Sequence, residues 1–395
     1  EVLETPFFLI NKKKLDDNIL NFKSALINIW PNSSIAYSVK TNSLPWLLKY
    51  LKKQNVMAEV VSDEEYEIAL LCGFKEEEIV FNGPIKGEAA FLDSIKKGSI
   101  VNIDSKHEVE ILKKNLKESN GNIGVRVNID TSIFENKDIS YIEDGFRFGF
   151  AEKNDDLANV IEIIRFSDMN NSIGLHFHCN SVTRSLSVYR KIAEYAKYVI
   201  EKYNISPSFI DIGGGFFGGV EGQPTATDYI TEIHEVLKDT VNVETTMLIV
   251  EPGSAIIGSA VEFHTSVIDI KDTDKSIIVT TDGSRINIDP LWSKQKYTYR
   301  IEMDNHNRCK LEKQIICGYT CMDHDRIMTL LNENILSIGD RIIFEKVGAY
   351  SMTFGGPFIR YFPDVYVQNQ NNLELVRKRM EARDYYDIHT KLEEC

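Results

Sequence analysis

Apolar positions along this chain follow two different rhythms. From about residue 34 to 254, short β-branched runs alternate with longer stretches of helical spacing. The runs predict strands over Ser34–Lys40, Met57–Ser62, Glu78–Gly83, Ser99–Asp104, Asn122–Ile129, Ser172–Asn180, Phe209–Gly213 and Met247–Glu251. Between them, "LPWLLKYLKKQ", "DEEYEIALLCGF", "HEVEILKKNLKES" and "SVYRKIAEYAKYVIEKY" predict amphipathic helices. Strands alternating with helices imply a parallel sheet clothed in helices, and eight such strands make a (β/α)8 barrel the first choice. A doubly wound open sheet is the structural alternative. After Gly253 the texture changes: "AVEFHTSVIDIKD", "KSIIVTTDGS", "QKYTYRIEMD" and "DRIIFEKVGAYSM" alternate with period two and are joined by polar turns. These predict a second, mostly antiparallel β domain, with helical spacing returning only in "NNLELVRKRMEAR". The expected division is a barrel over 26–254, and a β domain built from 1–25 and 255–395.

A barrel gathers its chemistry at the carboxyl ends of its strands, and the residues there are unusual. The first strand, "IAYSVK", ends in Lys40; the fifth carries Arg126; the sixth ends in "HFHCNS" (His176 to Ser181). The seventh ends in "DIGGGF" (Asp211 to Phe216) and the eighth in "EPGS" (Glu251 to Ser254). Three successive glycines, Gly213, Gly214 and Gly215, let backbone N–H groups approach an anion closely, and a phosphate is the natural guest. Two histidines at i and i+2 face the same way, but with no third ligand evident no metal site is expected. A flat ring packing on His178 suits them better. Glu251 at a buried strand end needs a cationic partner, and a protonated pyridine nitrogen would supply one. Together these residues describe a site for pyridoxal 5'-phosphate, with Lys40 as the amine that carries it. Taken singly, each piece has a plainer reading: a solvated lysine, a tight turn, a satisfied core histidine.

Charge and cysteine usage narrow the function further. The net charge of -14 argues against nucleic acid or an anionic membrane as partner. Six cysteines (Cys72, Cys179, Cys309, Cys317, Cys321 and Cys395) form no CxxC pair, so neither a zinc site nor a disulfide framework is expected. No apolar run reaches membrane-helix length, and the acidic start "EVLETPFFLI" lacks the basic front of a signal peptide. The expected location is the cytoplasm.

Many short segments, in order, resemble the fold-type III PLP-dependent decarboxylases, the ornithine/diaminopimelate/arginine decarboxylase family. "AYSVKTN" resembles its lysine motif, "VVSDEEYEIAL" its S-x-x-E segment and "FNGPIK" its G-P-x-K segment. "FRFG" resembles K-F-G, "GLHFHCNS" resembles H-x-G-S, and "EPGS" resembles E-P-G-R. Further on, "CGYTCMDHD" resembles G-P-x-C-x-x-x-D, and "GAY" ending at Tyr350 matches as it stands. The resemblance implies a barrel plus β domain, a homodimer with active sites shared across its interface, and decarboxylation of an amino acid. It implies cofactor contacts from Lys40, Arg126, His178, Ser181, Gly213, Gly214, Gly215, Glu251, Gly253, Ser254 and Tyr350. Cys321 would be the acid that reprotonates Cα, and Cys321 and Asp325 would reach the partner's cofactor. Met322, Asp325 and Arg360 would face the substrate.

Departures from the pattern shape the expectation. Asn180 replaces the glycine of H-x-G-S, and Ser254 replaces the arginine of E-P-G-R, so a charge near the phosphate is lost; Arg184 is the candidate to replace it. Met322 stands where relatives acting on diamino acids carry an acid, and a thioether cannot hold an ammonium. "DPLW" (Asp289 to Trp292) lacks the arginine of the diaminopimelate decarboxylases' R-P-x-L-Y. The expected substrate is therefore an altered one, such as a modified or carrier-linked amino acid, with Arg360 available for an acidic group. Two rivals remain: a racemase on the same cofactor, and a non-catalytic homologue acting through protein contacts.

Overall fold

The computed structural model describes residues 3–115, 122–167, 173–305 and 307–390. Two compact units emerge: Asp17–Ile256, and Glu1–Asp16 together with Ile257–Cys395. The chain enters through strand β1 (Phe7–Asn11) and helix α1 (Lys12–Ile29). Then strands and helices alternate: β2 (Ser33–Ser38), α2 (Pro45–Lys53), β3 (Met57–Ser62), α3 (Asp63–Leu71), β4 (Ile79–Ile85), α4 (Glu88–Lys96), β5 (Ile100–Ile103) and α5 (Lys106–Asn115). The series continues with β6 (Asn122–Val127), α6 (Asp156–Ser167), β7 (Ile173–Phe177), α7 (Leu186–Lys202), β8 (Pro207–Asp211), α8 (Ala226–Leu237) and β9 (Met247–Val250). Strands β2 to β9 close into a parallel barrel, β9 pairing back onto β2 with Ile35 opposite Val250. All eight strands read from the sequence are present. The predicted last turn of α5, Ser172 and Cys395 lie outside the described residues.

Packing inside the barrel explains two glycines that carry no turn. A Cβ on Gly174 would lie 1.9 Å from the Phe209 ring, and one on Gly124 2.7 Å from it. Strands β6 and β7 therefore omit side chains where β8 inserts its phenylalanine. Phe209 packs with Ala36, Val80, Ile100 and Ile249 in a fully buried layer. Filling a barrel with interleaved side chains in this way makes it a solid core rather than a pore. Helices are capped locally: Ser62 accepts from the Glu65 amide at 3.2 Å, and Thr225 forms a reciprocal capping box with Asp228.

The second unit is a nine-stranded sheet. After α9 (Ser254–Ile257) come β10 (Val261–Asp272), β11 (Ile277–Thr281), α10 (Arg285–Ile288), β12 (Thr298–Glu302), β13 (Lys310–Cys317), β14 (Arg326–Asn334) and β15 (Arg341–Glu345). Strands β16 (Asp364–Asn369) and β17 (Asn372–Arg377) and helix α11 (Ala382–His389) complete it. Long β10 pairs with β1 and β15 along its first half and with β11 along its second, bending at a bulge between Val267 and Asp269. Most pairs are antiparallel; β1–β16 and β11–β13 are parallel. One expectation is corrected here. "NNLELVRKRMEAR" is not a single helix: Asn372–Arg377 is β17, and the helix starts at Ala382. Gln370 takes a positive φ of 54° in a tight turn, so the segment folds back on β16 as a hairpin. Among the described residues, no helix is long and apolar enough to cross a membrane.

Candidate active site

At the carboxyl ends of the barrel strands the interior turns polar. Strand β2 stops at Ser38, and Lys40 follows in a 3-10 turn, Val39–Thr41, rather than closing the strand. The turn brings the Lys40 Nζ back to donate to Ser38 Oγ at 2.7 Å and to Glu59 Oε2 at 2.9 Å. Glu59, on β3, is buried and also accepts from Ser38 Oγ at 2.6 Å. Asn82 Nδ2, on β4, joins Glu59 Oε1 at 3.1 Å to Glu251 Oε1 at 2.5 Å. One continuous hydrogen-bonded path thus runs from the Lys40 amine to the Glu251 carboxyl.

Among the described residues, no lysine or arginine pairs with Glu251. His176, Asp211 and Glu251 are all buried, with potential ligand atoms within 4.8 Å of one another. Burial, the neighbouring Asp211 and Glu59 raise the Glu251 carboxyl well above the usual range, and burial likewise raises Asp211. Burial and the Arg126 charge push His176 well below its ordinary value, so it is neutral and cannot serve as the counter-ion. Neither of its ring nitrogens has a hydrogen-bond partner among the described residues. The cluster is therefore a buried acid whose raised pKa favours the neutral form, and a cation placed beside it would favour the carboxylate.

The glycine loop leaves β8 beside this cluster. Gly213 and Gly215 adopt φ of 70° and 89°, and a Cβ on Gly213 would lie 2.4 Å from His178 Nδ1. A Cβ on Gly214 would strike the Glu251 carbonyl oxygen at 2.3 Å. Four bonds pin the loop: Gly213 N to Asp211 Oδ1 at 2.8 Å, Glu251 N to Gly213 O at 2.7 Å, Gly214 N to His178 Nδ1 at 3.3 Å and Tyr189 Oη to Gly214 O at 2.9 Å. The Gly215 and Phe216 amides have no acceptor among the described residues, so the loop ends in free donors. Burial and Arg126 lower His178 to about 3, leaving a neutral ring whose Nδ1 accepts from the loop.

Other expected residues surround the same opening. Arg126 donates to Asp104 Oδ2 at 3.2 Å, and its guanidinium lies 4.5 Å from the Phe148 ring centre. It lines a cavity of about 520 Å³ with His178, Cys179, Asn180 and the segment around Phe148. Ser181 Oγ donates to the Asp138 carbonyl at 3.1 Å and accepts from Arg184 N at 2.8 Å. Gly253 has no room for a side chain, since a Cβ would meet Thr41 Oγ1 at 2.0 Å, and Ser254 opens the short helix α9.

Cys321, Met322, Asp325, Tyr350 and Arg360 lie in the other compact unit. Cys321 is exposed and Met322 half-buried on the loop after β13. Tyr350 is 37% exposed with a positive φ of 53°. Arg360 donates to the Asp282 carbonyl at 3.0 Å, and lines a cavity of about 220 Å³ with Tyr319, Asn287 and Arg379. Asp325 has a different setting. It is buried, and its carboxylate accepts from Ser284 Oγ at 2.9 Å, Thr320 Oγ1 at 2.7 Å and Arg285 N at 3.1 Å. Those bonds spend the carboxylate on shaping the loop that carries Cys321.

Sequence reasoning passed over Glu59, Asn82 and Asp211 as site residues. Each is a polar residue near the end of an otherwise apolar barrel strand, and that isolation was the available signal.

Comparison with known proteins agrees with this geometry. Residues 13–258 match the family model for the pyridoxal-binding domain of pyridoxal-dependent decarboxylases. A diaminopimelate decarboxylase of Helicobacter pylori is 27% identical over 90% of this chain and 88% of its own. One from Aquifex aeolicus is 25% identical over 96% of this chain and 90% of its own. The crystal structure of diaminopimelate decarboxylase from Helicobacter pylori complexed with L-lysine superposes with a TM-score of 0.79 at 22% identity, covering 98% of this chain and 97% of its own. The Paramecium bursaria Chlorella virus arginine decarboxylase bound to agmatine gives 0.75 at 21% identity, over 93% of this chain and 96% of its own. The chain belongs to the pyridoxal-dependent decarboxylases.

Proposed function

We propose that this protein removes the α-carboxylate of an amino acid at the barrel site, using pyridoxal 5'-phosphate held by Lys40, Glu251, His178 and the Gly213–Gly215 loop. The observation that carries the reading is Glu251, a buried acid beside a neutral histidine with no cation of its own. A protonated pyridine nitrogen complements that acid in charge, and the free Gly215 and Phe216 amides suit a phosphate. When bound, the cofactor accepts the electron pair left on Cα as carbon dioxide departs.

The chain's own groups have separate tasks. Glu251 meets the ring nitrogen's charge and is itself steadied by Asn82. His178, neutral at working pH, offers a flat face without adding charge. Glu59 and Ser38 receive the Lys40 amine and keep it at the site when it is not engaged. Cys321 delivers a proton from Sγ to Cα after the carboxylate has left. Because Cys321 and Tyr350 belong to the second unit, the reading includes a homodimer in which that unit completes the partner's site. Asn180, Ser254, Arg126, Ser181 and Gly253 border the cofactor; Met322 and Arg360 face the distal end of the substrate. A thioether there, with an arginine available, favours a substrate whose far end carries no free ammonium.

The test is carbon dioxide release by the cofactor-loaded protein from diaminopimelate, ornithine, lysine, arginine and glutamate, with Lys40→Ala as control. Release lost in Lys40→Ala, and slowed in Cys321→Ala with the deuterium taken up at Cα in heavy water no longer stereospecific, supports the reading. Racemised substrate without carbon dioxide would assign the racemase instead. Rapid turnover of free diaminopimelate would remove the altered-substrate part of the proposal. A protein that takes up no cofactor would sink it altogether.

A further inference from the structure

The phosphate end of the proposed cofactor site presents a deficit of charge. The glycine loop offers amides, and Ser254 offers a hydroxyl, but none of these is positive. Arg126 is committed to Asp104 at 3.2 Å, and Lys40 to Glu59 at 2.9 Å. A dianionic phosphate held by neutral donors alone would be bound weakly in a partly buried site.

One cation beside the loop is unspent. Arg184 makes no ion pair and no side-chain hydrogen bond among the described residues, and its guanidinium rests 5.3 Å from the centre of the Phe217 ring. Phe217 directly follows Phe216, whose amide is one of the free donors. Arg184 adopts φ of 51°, a conformation unfavourable for a residue with a Cβ. Two bonds hold it there: its N–H donates to Ser181 Oγ at 2.8 Å, and Tyr229 Oη donates to its carbonyl at 2.7 Å. Tyr229 Oη also accepts from Phe217 N at 3.4 Å, so a single hydroxyl ties the Arg184 backbone to the end of the glycine loop. Burial raises the hydroxyls of Tyr189 and Tyr229, the two tyrosines that fix the loop, and the Arg184 charge pulls both back.

We infer that Arg184 is a cofactor-binding residue, supplying to the phosphate the positive charge that Ser254 lacks. The assignment rests on the cofactor reading above. A strained backbone, held by two hydroxyls of which one, Tyr229, also holds the end of the loop, keeps an unpaired guanidinium there. The same strain would serve no purpose for a solvated arginine.

The test compares two ligands that differ only in the phosphate. Cofactor-free wild type, Arg184→Ala, Arg184→Lys and Arg184→Ala/Ser254→Arg would each be titrated with pyridoxal 5'-phosphate and with pyridoxal, followed by visible absorbance at low and moderate salt. Expected is a tenfold or greater loss of pyridoxal 5'-phosphate affinity in Arg184→Ala, with pyridoxal affinity changed less than twofold. Arg184→Lys should retain most of the affinity, and the added arginine at 254 should restore it. Added salt should weaken wild type more than Arg184→Ala. Equal losses for both ligands would show a loop defect and overturn the assignment, as would no loss for either. A wild-type protein that shows no Lys40-dependent band with either ligand would instead overturn the cofactor reading, and this assignment with it.

Discussion

Lys86 offers the sharpest quantitative test of the barrel's polar interior. Its side chain is fully buried, and Nζ donates to Glu108 Oε1 at 2.7 Å, Gly83 O at 2.6 Å and Asn102 O at 3.0 Å. Burial lowers the Lys86 pKa, and Glu108 works against that shift. The second oxygen of Glu108 accepts from the Asp104 and Ser105 amides at 2.7 and 2.9 Å. Asp104 in turn holds Arg126 and the Gly149 amide, the latter at 2.7 Å. Lys86→Met keeps the volume but strands a buried carboxylate and two carbonyl oxygens. Breaking a buried pair from one side costs about 3–5 kcal/mol, a large share of a typical domain stability of about 5–15 kcal/mol. Lys86→Met/Glu108→Gln removes the stranded charge while keeping an acceptor for the two amides, so it should recover about half of that loss. Urea unfolding of the cofactor-free protein, followed by circular dichroism, measures both. A single-variant cost below about 1 kcal/mol, or a double variant no better than the single, would refute the view that this pair holds the barrel end together.

Two further outcomes follow from the same geometry. Gly213→Ala must place a Cβ 2.4 Å from His178 Nδ1 at a φ of 70°; strain and overpacking of about 2–4 kcal/mol should appear as at least a tenfold loss of cofactor affinity in an absorbance titration, and unchanged affinity would contradict the fixed loop. His178, lowered to about 3, stays neutral when folded, so its contribution to stability is present above its unfolded value of 6.5 and is lost as pH falls from there toward 3. Between pH 6.5 and 5, cofactor-free wild type should lose about 2 kcal/mol more than His178→Phe in urea unfolding, and parallel losses would show that the ring is not held neutral.

The barrel was legible because its signal is local. Each strand is a β-branched run bounded by a helix of different period, and every one of the eight was placed within a few residues. Candidates at the strand ends stood out for a related reason: Lys40, His178, Gly213–Gly215 and Glu251 are marked by their types as well as their places. Glu59, Asn82 and Asp211 escaped because each sits singly in a largely apolar strand and has partners from distant parts of the chain. For Asp325 the converse holds: its motif position is visible in the sequence, but its bonds from Ser284 and Thr320 are not. Segments "KLEKQIIC" and "RIMTLLNEN" have weak alternation because β13 and β14 each leave many side chains in solvent. The final segment's charges suggested a helix, but hairpin pairing with β16 overrode local spacing.

The position of β1 sets an order of events during synthesis. The barrel unit is one continuous stretch of chain, whereas β1, made before it, lies between β10 and β16. Its parallel partner β16 emerges only after β11 to β15 have been made, roughly ten seconds after β9 at ordinary translation speeds. Throughout that interval "FFLIN" has no partner on that side, although Phe7, Phe8 and Ile10 are buried in the finished sheet. An unpaired apolar edge is open to pairing with other chains. Nascent chains stalled before β16 should therefore aggregate through this strand even when their barrels are complete, which makes Phe7–Asn11 the segment most in need of protection while the rest is being made.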